Sequence, residues 1–224
     1  MPRISDAKLR LMEAARTLIW ENSYGSISVD AICHRADVRK GSFYHFFESK
    51  SALAAEALEA DWLGRRALLD EMFSPQSPPL DRLRRYLDYV FDRQAAAHAK
   101  CGCVLGCPIL SIGCEVSTQD PVIRMKVRDI LARQLRYFET AIRDADAEGS
   151  IHAPNPRVKA RSMYALIQGA LTQARILDDL EIVKDARLGV FDLLGINADS
   201  VEAAIPQREK SGKRNPSELA TAAV

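Results

Sequence analysis

Apolar side chains recur at intervals of three and four along most of the chain, and nowhere do they alternate over the length of a strand. That is the signature of helices. Leu11, Met12, Ala15, Leu18 and Ile19 mark one helix over about 5–22, followed by a polar break at 22–26. Ser28 reads as the N-cap of a short helix whose buried side is Val29, Ile32, Cys33 and Ala36. Asp37 and Val38 make a tight turn into a third helix of two turns, 39–46. Ser49 caps a fourth helix carrying Ala52, Leu53, Ala55, Leu58 and Leu63, which the breaker 74–79 ends. Leu80, Leu83, Leu87, Val90 and Phe91 define a fifth, ending near His98. The stretch 101–114 holds Gly102, Gly106, Pro108 and Gly113 and admits only a short or irregular helix. Asp120-Pro121 and Asn155-Pro156 are both cap-then-proline starts. The first opens a helix with Ile123, Val127, Ile130, Leu131, Phe138 and Ile142, closed at Gly149; the second runs to about Asp178. A last helix, 182–194, has Ile182, Val183, Ala186, Val190, Leu193 and Leu194 on one side. The expectation is an all-α fold of about nine helices. Residues 1–48 form a three-helix N-terminal domain. Residues 49–198 form a helical C-terminal domain joined to it through helix 49–73, and the polar tail 199–224 is expected to be disordered.

Composition narrows the function. Of 224 residues, 27% are charged, and the net charge is only +1, so a nucleic-acid site must be a local patch rather than a polycationic surface. The longest uncharged stretch, 101–114, is too short to span a bilayer and contains a proline. The N-terminus lacks a signal-peptide core, and five cysteines argue against a disulfide scaffold, so a cytoplasmic protein is expected. There is no phosphate loop, no G-x-S-x-G and no H-E-x-x-H, and the four histidines are scattered. An enzyme is therefore not expected, nor a cofactor.

Three short helices, the second and third joined by a three-residue turn, have the layout of a helix-turn-helix. The third interleaves basic, hydroxyl and aromatic groups. Phe43, Phe46 and Phe47 are spaced to anchor it, leaving Arg39, Lys40, Ser42, Tyr44 and His45 for the open side, where their donors suit phosphates and base edges. Gly41 permits close backbone approach to a duplex. Lys50 lies in the first turn of helix four, where the macrodipole disfavours a cation; a phosphate docked beside it would offset that penalty, the alternative being a solvated lysine at a cost of a few tenths of a kcal/mol.

Residues 11–53 resemble the DNA-binding domain of the TetR family of bacterial transcriptional regulators. The match runs through Ala15, Leu18, Ile19, Tyr24, Ser28, Val29, Ile32, Ala36, Val38, Gly41, Ser42, Tyr44, Phe47, Lys50 and Leu53. Ser23, Cys33 and Asp37 depart from the usual pattern, Ser23 and Asp37 standing where glycine is common and Cys33 where alanine is. The resemblance implies a dimeric helical repressor with an inducer pocket, bound to a near-palindromic double-stranded operator. It assigns Ser28, Tyr44 and Lys50 to phosphates and Arg39, Lys40, Ser42 and His45 to the groove.

In the C-terminal part, apolar side chains with a few polar ones are candidates for lining a site for a small, largely apolar effector. They are Trp62, Tyr86, Tyr89, Phe91, Cys107, Met125, Met163 and Gln168. Small residues four apart suit a homodimer interface built from Ala165, Gly169, Ala170, Ala174, Val190 and Leu194, with packing inside one subunit as the alternative. Cys101, Cys103, Cys107 and Cys114 leave three readings open. They line the pocket, they form a redox sensor with Lys100 and His98 lowering a thiol pKa, or they form a metal sensor, although no histidine lies within the cluster.

Overall fold

Residues 6–196 are described in the computed structural model of the chain. They form nine helices and no strand: α1 Asp6–Glu21, α2 Val29–Ala36, α3 Lys40–Phe46, α4 Lys50–Met72, α5 Pro79–Cys101, α6 Pro108–Val116, α7 Pro121–Ala147, α8 Pro156–Leu177 and α9 Glu181–Leu194. The tail 199–224 lies outside the described residues.

Local chemistry explains most boundaries. Ser28 accepts a hydrogen bond from the Ala31 amide at 3.0 Å, Ser49 from Ala52 at 3.0 Å and Asn155 from Val158 at 3.1 Å, each satisfying a donor that the first helical turn leaves free. Asp120 does the same for Val122 and Ile123 at 3.0 and 3.1 Å. Prolines open α5, α6, α7 and α8, where a missing N–H costs nothing. Asp37 ends α2 with φ +50°, in the left-handed region where Asp is among the better-tolerated side chains. Arg10 from α1 secures that turn by donating to the Ala36 and Asp37 carbonyls at 3.0 and 3.1 Å.

The described residues fall into two compact units, and α4 and α7 each contribute to both. The first unit gathers residues 6–66 and Leu105–Arg133. Its core includes Leu11, Ala15, Ile32, Phe43 and Leu53, each 1% exposed or less. Polar clamps join its elements. Trp20 donates its indole N–H to the Gly106 carbonyl at 3.0 Å. Glu59 on α4 takes Lys126 Nζ at 2.9 Å and both terminal nitrogens of Arg133 at 2.9 and 2.6 Å. Hydrogen bonds from Arg133 and Lys126 hold the Glu59 carboxyl at a pKa of about 2, well below the ordinary value, in spite of partial burial.

The second unit gathers Ala67–Val104 and residues 134–196. Rings pack at its centre: Tyr86 meets Phe138 edge-on at 4.8 Å, with Phe73 5.8 Å and Tyr164 6.2 Å from Phe138. Buried Arg82 donates to the Ser77 and Pro75 carbonyls at 2.8 and 3.0 Å and pairs with Asp144. α8 packs along α9, and a Cβ on Gly189 would meet the Leu166 side chain at 3.4 Å, a measure of how near they run.

Candidate nucleic-acid interface

Phe43 is wholly buried and Phe47, the residue that ends α3, is 2% exposed, with their rings 5.8 Å apart; Phe46 is half-buried. These rings fix one side of a helix too short to be stable by itself. The other side is open. Arg39, Lys40, Gly41, Ser42, Tyr44 and His45 are all exposed, and Tyr44 presents 56% of its surface. A Cβ built on Gly41 would meet nothing within 4 Å, so this glycine leaves a flat backbone patch at the start of the helix. Lys40 is paired with Asp30 at 2.9 Å, which raises its pKa through that hydrogen bond and holds the ammonium charged. Both members of the pair are exposed, so it can open to a phosphate at little cost.

Ser28 and Lys50 are already engaged. The Ser28 oxygen caps α2, leaving its hydroxyl proton to donate elsewhere. Lys50 donates to the carbonyls of Tyr24 and Ile27, both at 2.9 Å, and lies 4.1 Å from the centre of the Tyr24 ring. The unfavourable position at the start of α4 is thus offset by carbonyl dipoles and a ring face inside the protein. Two of its three ammonium protons are taken, so the charge is balanced without a docked phosphate and one proton is left for one. Burial pushes the Lys50 pKa down from its ordinary value.

The same turn between α1 and α2 is also held by Glu115 on α6. Its carboxylate accepts from the Tyr24 amide at 2.9 Å and the Gly25 amide at 2.6 Å. The Tyr24 hydroxyl meets Ser51 at 3.1 Å, and Ser51 donates to Asp120. Burial pushes the Asp120 carboxyl up, but the hydrogen bonds from Ser51, Ile123 and Val122 outweigh it and hold the pKa below the ordinary value. The role of Glu115 escaped the sequence reading because its partners lie some ninety residues away and are backbone groups.

The candidate effector residues separate. Tyr86, Tyr89, Phe91, Met163 and Gln168 belong to the second unit, Trp62, Cys107 and Met125 to the first. Met163 is wholly buried, and Gln168 is buried with its side-chain carbonyl oxygen making no hydrogen bond. Met125 is 64% exposed and lines no interior of its unit, because it falls on the outward side of α7 between the buried Ile123 and Val127. Trp62 is covered by the Arg65 and Arg133 guanidinium groups, 5.9 and 5.1 Å from its ring, so it is core capped by cations. Gln134, which the sequence reading missed, is buried on α7 with its side-chain nitrogen making no hydrogen bond. Its signal was a polar residue one turn from both Ile130 and Phe138, in the middle of the apolar face.

The small-residue set also divides. Ala170, Ala174, Val190 and Leu194 are 9% exposed or less, buried within the single chain, and so not available to a second copy. Ala165 is exposed and Gly169 half-buried, with open space where its Cβ would be. They continue a row on α8, one or two turns apart, from Val158 at 53% exposure through Ser162 and Thr172 to Ile176 at 75%. All five cysteines are free thiols; Cys33 is buried, Cys101 and Cys114 are exposed, and Cys103 and Cys107 are half-buried. Among the described residues no group of three or more His, Cys, Asp or Glu side chains is placed to hold a metal, and no helix is long and apolar enough to cross a membrane.

Residues 11–57 match the model of bacterial regulatory proteins of the tetR family, and residues 79–190 match that of the tetracyclin repressor-like C-terminal domain. The transcriptional regulator AcuR of Cereibacter sphaeroides is 29% identical over 177 residues, 78% of this chain and 79% of that one. The HTH-type transcriptional repressor NemR of Escherichia coli is 24% identical over 195 residues, 86% and 96% of the two chains. The crystal structure of its reduced form matches with a TM-score of 0.72 at 25% identity, covering 85% of this chain and 98% of that one. A regulatory protein TetR from Rhodobacter sphaeroides matches with a TM-score of 0.75 at 26% identity, covering 84% and 99%.

Proposed function

The chain belongs to the TetR family of bacterial regulatory proteins, which bind DNA to control transcription, and from that premise we propose a dimeric repressor released from its operator by a small, largely apolar molecule. The observation that carries this reading is the outward side of α3, where every predicted groove-facing donor is exposed on a helix anchored by buried rings. Arg39, Lys40, Ser42 and His45 read the major groove, Gly41 lets the backbone come close, and Tyr44, Ser28 and the third proton of Lys50 hold phosphates.

A near-palindromic operator follows from a two-fold dimer with its two α3 helices in successive major grooves, about 34–36 Å apart. The row of Val158, Ser162, Ala165, Gly169, Thr172 and Ile176, small or apolar apart from two hydroxyls, supports the dimer as a self-complementary face. Effector binding in the second unit would lower operator affinity about 5–150-fold, and by linkage the operator would lower effector affinity equally.

The test is titration against DNA flanking the gene, at several salt concentrations. Arg39→Ala and His45→Ala are expected to relax sequence preference, each costing about 1–3 kcal/mol where the side chain reads a base. Unchanged preference in both variants would remove the groove assignment. A second reading, thiol-based redox sensing, is favoured by the exposure of the free thiols Cys101 and Cys114. It predicts that mild peroxide releases operator DNA, and that Cys101→Ser or Cys114→Ser prevents the release.

A further inference from the structure

The second unit contains four buried polar side chains among the described residues: Arg82, Gln94, Gln134 and Gln168. Arg82 is the only charged one, and its guanidinium is committed to two carbonyls and Asp144. Gln134 Nε2 and Gln168 Oε1, on residues 5% and 6% exposed, make no hydrogen bond. A buried amide atom left in that condition destabilises a folded protein, and native interiors hold few of them.

These two atoms come from opposite helices at one level. α8 begins close after α7 ends, and Ala153 donates back to Asp146 at the junction, so the helices run antiparallel. Phe138 on α7 and Tyr164 on α8 have ring centres 6.2 Å apart. Four residues back along α7 is Gln134, and four residues forward along α8 is Gln168. Each step is one turn, about 6 Å, in the same direction from the ring pair. A plane of aromatic side chains thus lies one turn from an unused donor and an unused acceptor. The pair offers one donor, Gln134 Nε2, and one acceptor, Gln168 Oε1.

Resting on the ligand-responsive reading above, we propose that the effector of the second unit is an uncharged molecule with an adjacent hydrogen-bond donor and acceptor, in the manner of an aryl carboxamide. Gln134 and Gln168 bind its polar end, and the Tyr86, Phe138 and Tyr164 rings take its apolar end. An anion or a cation would enter an interior whose one buried charge among the described residues, Arg82, is already committed, and meet the full desolvation cost. A pure hydrocarbon leaves both amides as they are. A carboxamide satisfies both at once while its ring stacks one turn away.

The experiment uses the full chain and four probes of matched size: benzamide, benzoate, benzylammonium and toluene. Benzamide is expected to raise Tm by about 3–10 °C at concentrations roughly 10–100-fold above its Kd, with little or no shift from either ion. Gln134→Leu and Gln168→Leu are expected to leave the unliganded Tm unchanged or higher, because an unsatisfied polar atom is replaced by an apolar one. They should abolish the benzamide shift while retaining that of toluene. Met at the same positions serves as a second pair of variants should Leu prevent folding. A shift from benzoate or benzylammonium equal to that of benzamide would overturn the proposal. So would the absence of any benzamide shift, or a lowered Tm with the benzamide response intact. Operator release, measured in parallel, separates this from the broader reading. If benzamide binds without releasing DNA, the amide site stands and the induction mechanism fails. If toluene releases DNA while benzamide does not bind, induction stands and the amide site fails.

Discussion

The two units differ in what their polar groups leave unused. In the first, polar side chains are fasteners, half-buried ones and the exposed Glu115 alike: Lys50 and Glu115 grip one turn, Ser51 joins Tyr24 to Asp120, and Glu59 ties α4 to α7. In the second, one buried fastener, Arg82 with Asp144, accompanies aromatic and aliphatic packing, and two buried amides keep a donor and an acceptor unused. A surface that reads a rigid duplex needs its recognition helix set to within fractions of an ångström, which cross-element hydrogen bonds provide. An interior that senses a small molecule needs hydrogen-bonding capacity left over for it. The contrast therefore separates a part built to be fixed from a part built to be completed.

The largest effect that would sharpen this contrast comes from Lys50. Lys50→Met leaves the Tyr24 and Ile27 carbonyls without their charged donor and is expected to lower stability by about 2–3 kcal/mol, measured by urea unfolding. Operator affinity should fall with it, and the salt slope discriminates two roles. An unchanged slope means that Lys50 positions the turn, whereas a slope reduced by about one means that it also holds a phosphate.

Glu59 comes next. Its carboxyl titrates lower in the folded chain, about 2, than its ordinary value, so its contribution is complete above about pH 5 and is lost as pH falls toward 2. Glu59→Gln is expected to cost about 1–2 kcal/mol at pH 7, between the usual worth of exposed and buried pairs. The gap between variant and parent should close on acidification. A gap independent of pH would show that Glu59 acts through packing rather than charge.

The smallest effect is at Gly41. With open space at its Cβ, Gly41→Ala is expected to raise stability by about 0.5–1 kcal/mol, since alanine suits a helix better. Operator affinity should drop all the same if a DNA backbone approaches that patch. A variant both more stable and equally tight on DNA would remove Gly41 from the interface.

How much of this was legible in advance follows from sequence distance. The caps at Ser28, Ser49, Asp120 and Asn155 act over two or three residues, and each was readable from residue type and the apolar period that follows. The buried side of α3 was readable too, because Phe43 and Phe47 lie one turn apart. The partners of Lys50 and Glu115 were not, since a backbone carbonyl or amide has no letter of its own. The small residues of α8 misled for a related reason: Ala165 and Ala170 look alike in a sequence, and only the direction from which α9 approaches decides which is covered. Gln168 was singled out as one of the few polar groups of a mainly apolar site, and a search for a polar residue within the apolar face of α7 would have found Gln134.

The clamp from Glu115 also sets an order of events during synthesis. At about 5–20 residues per second, roughly 5–20 s pass between the emergence of Gly25 and that of the carboxylate it binds. α2, α3 and Lys50 emerge within about the first 1–5 s of that interval, so the nascent recognition helix assembles with Lys50 as its early lock. Glu115 arrives as the late one. A stalled chain ending before residue 115 should therefore display a formed helix-turn-helix whose first turn exchanges its Tyr24 and Gly25 amide hydrogens freely, and release of the stall should protect them.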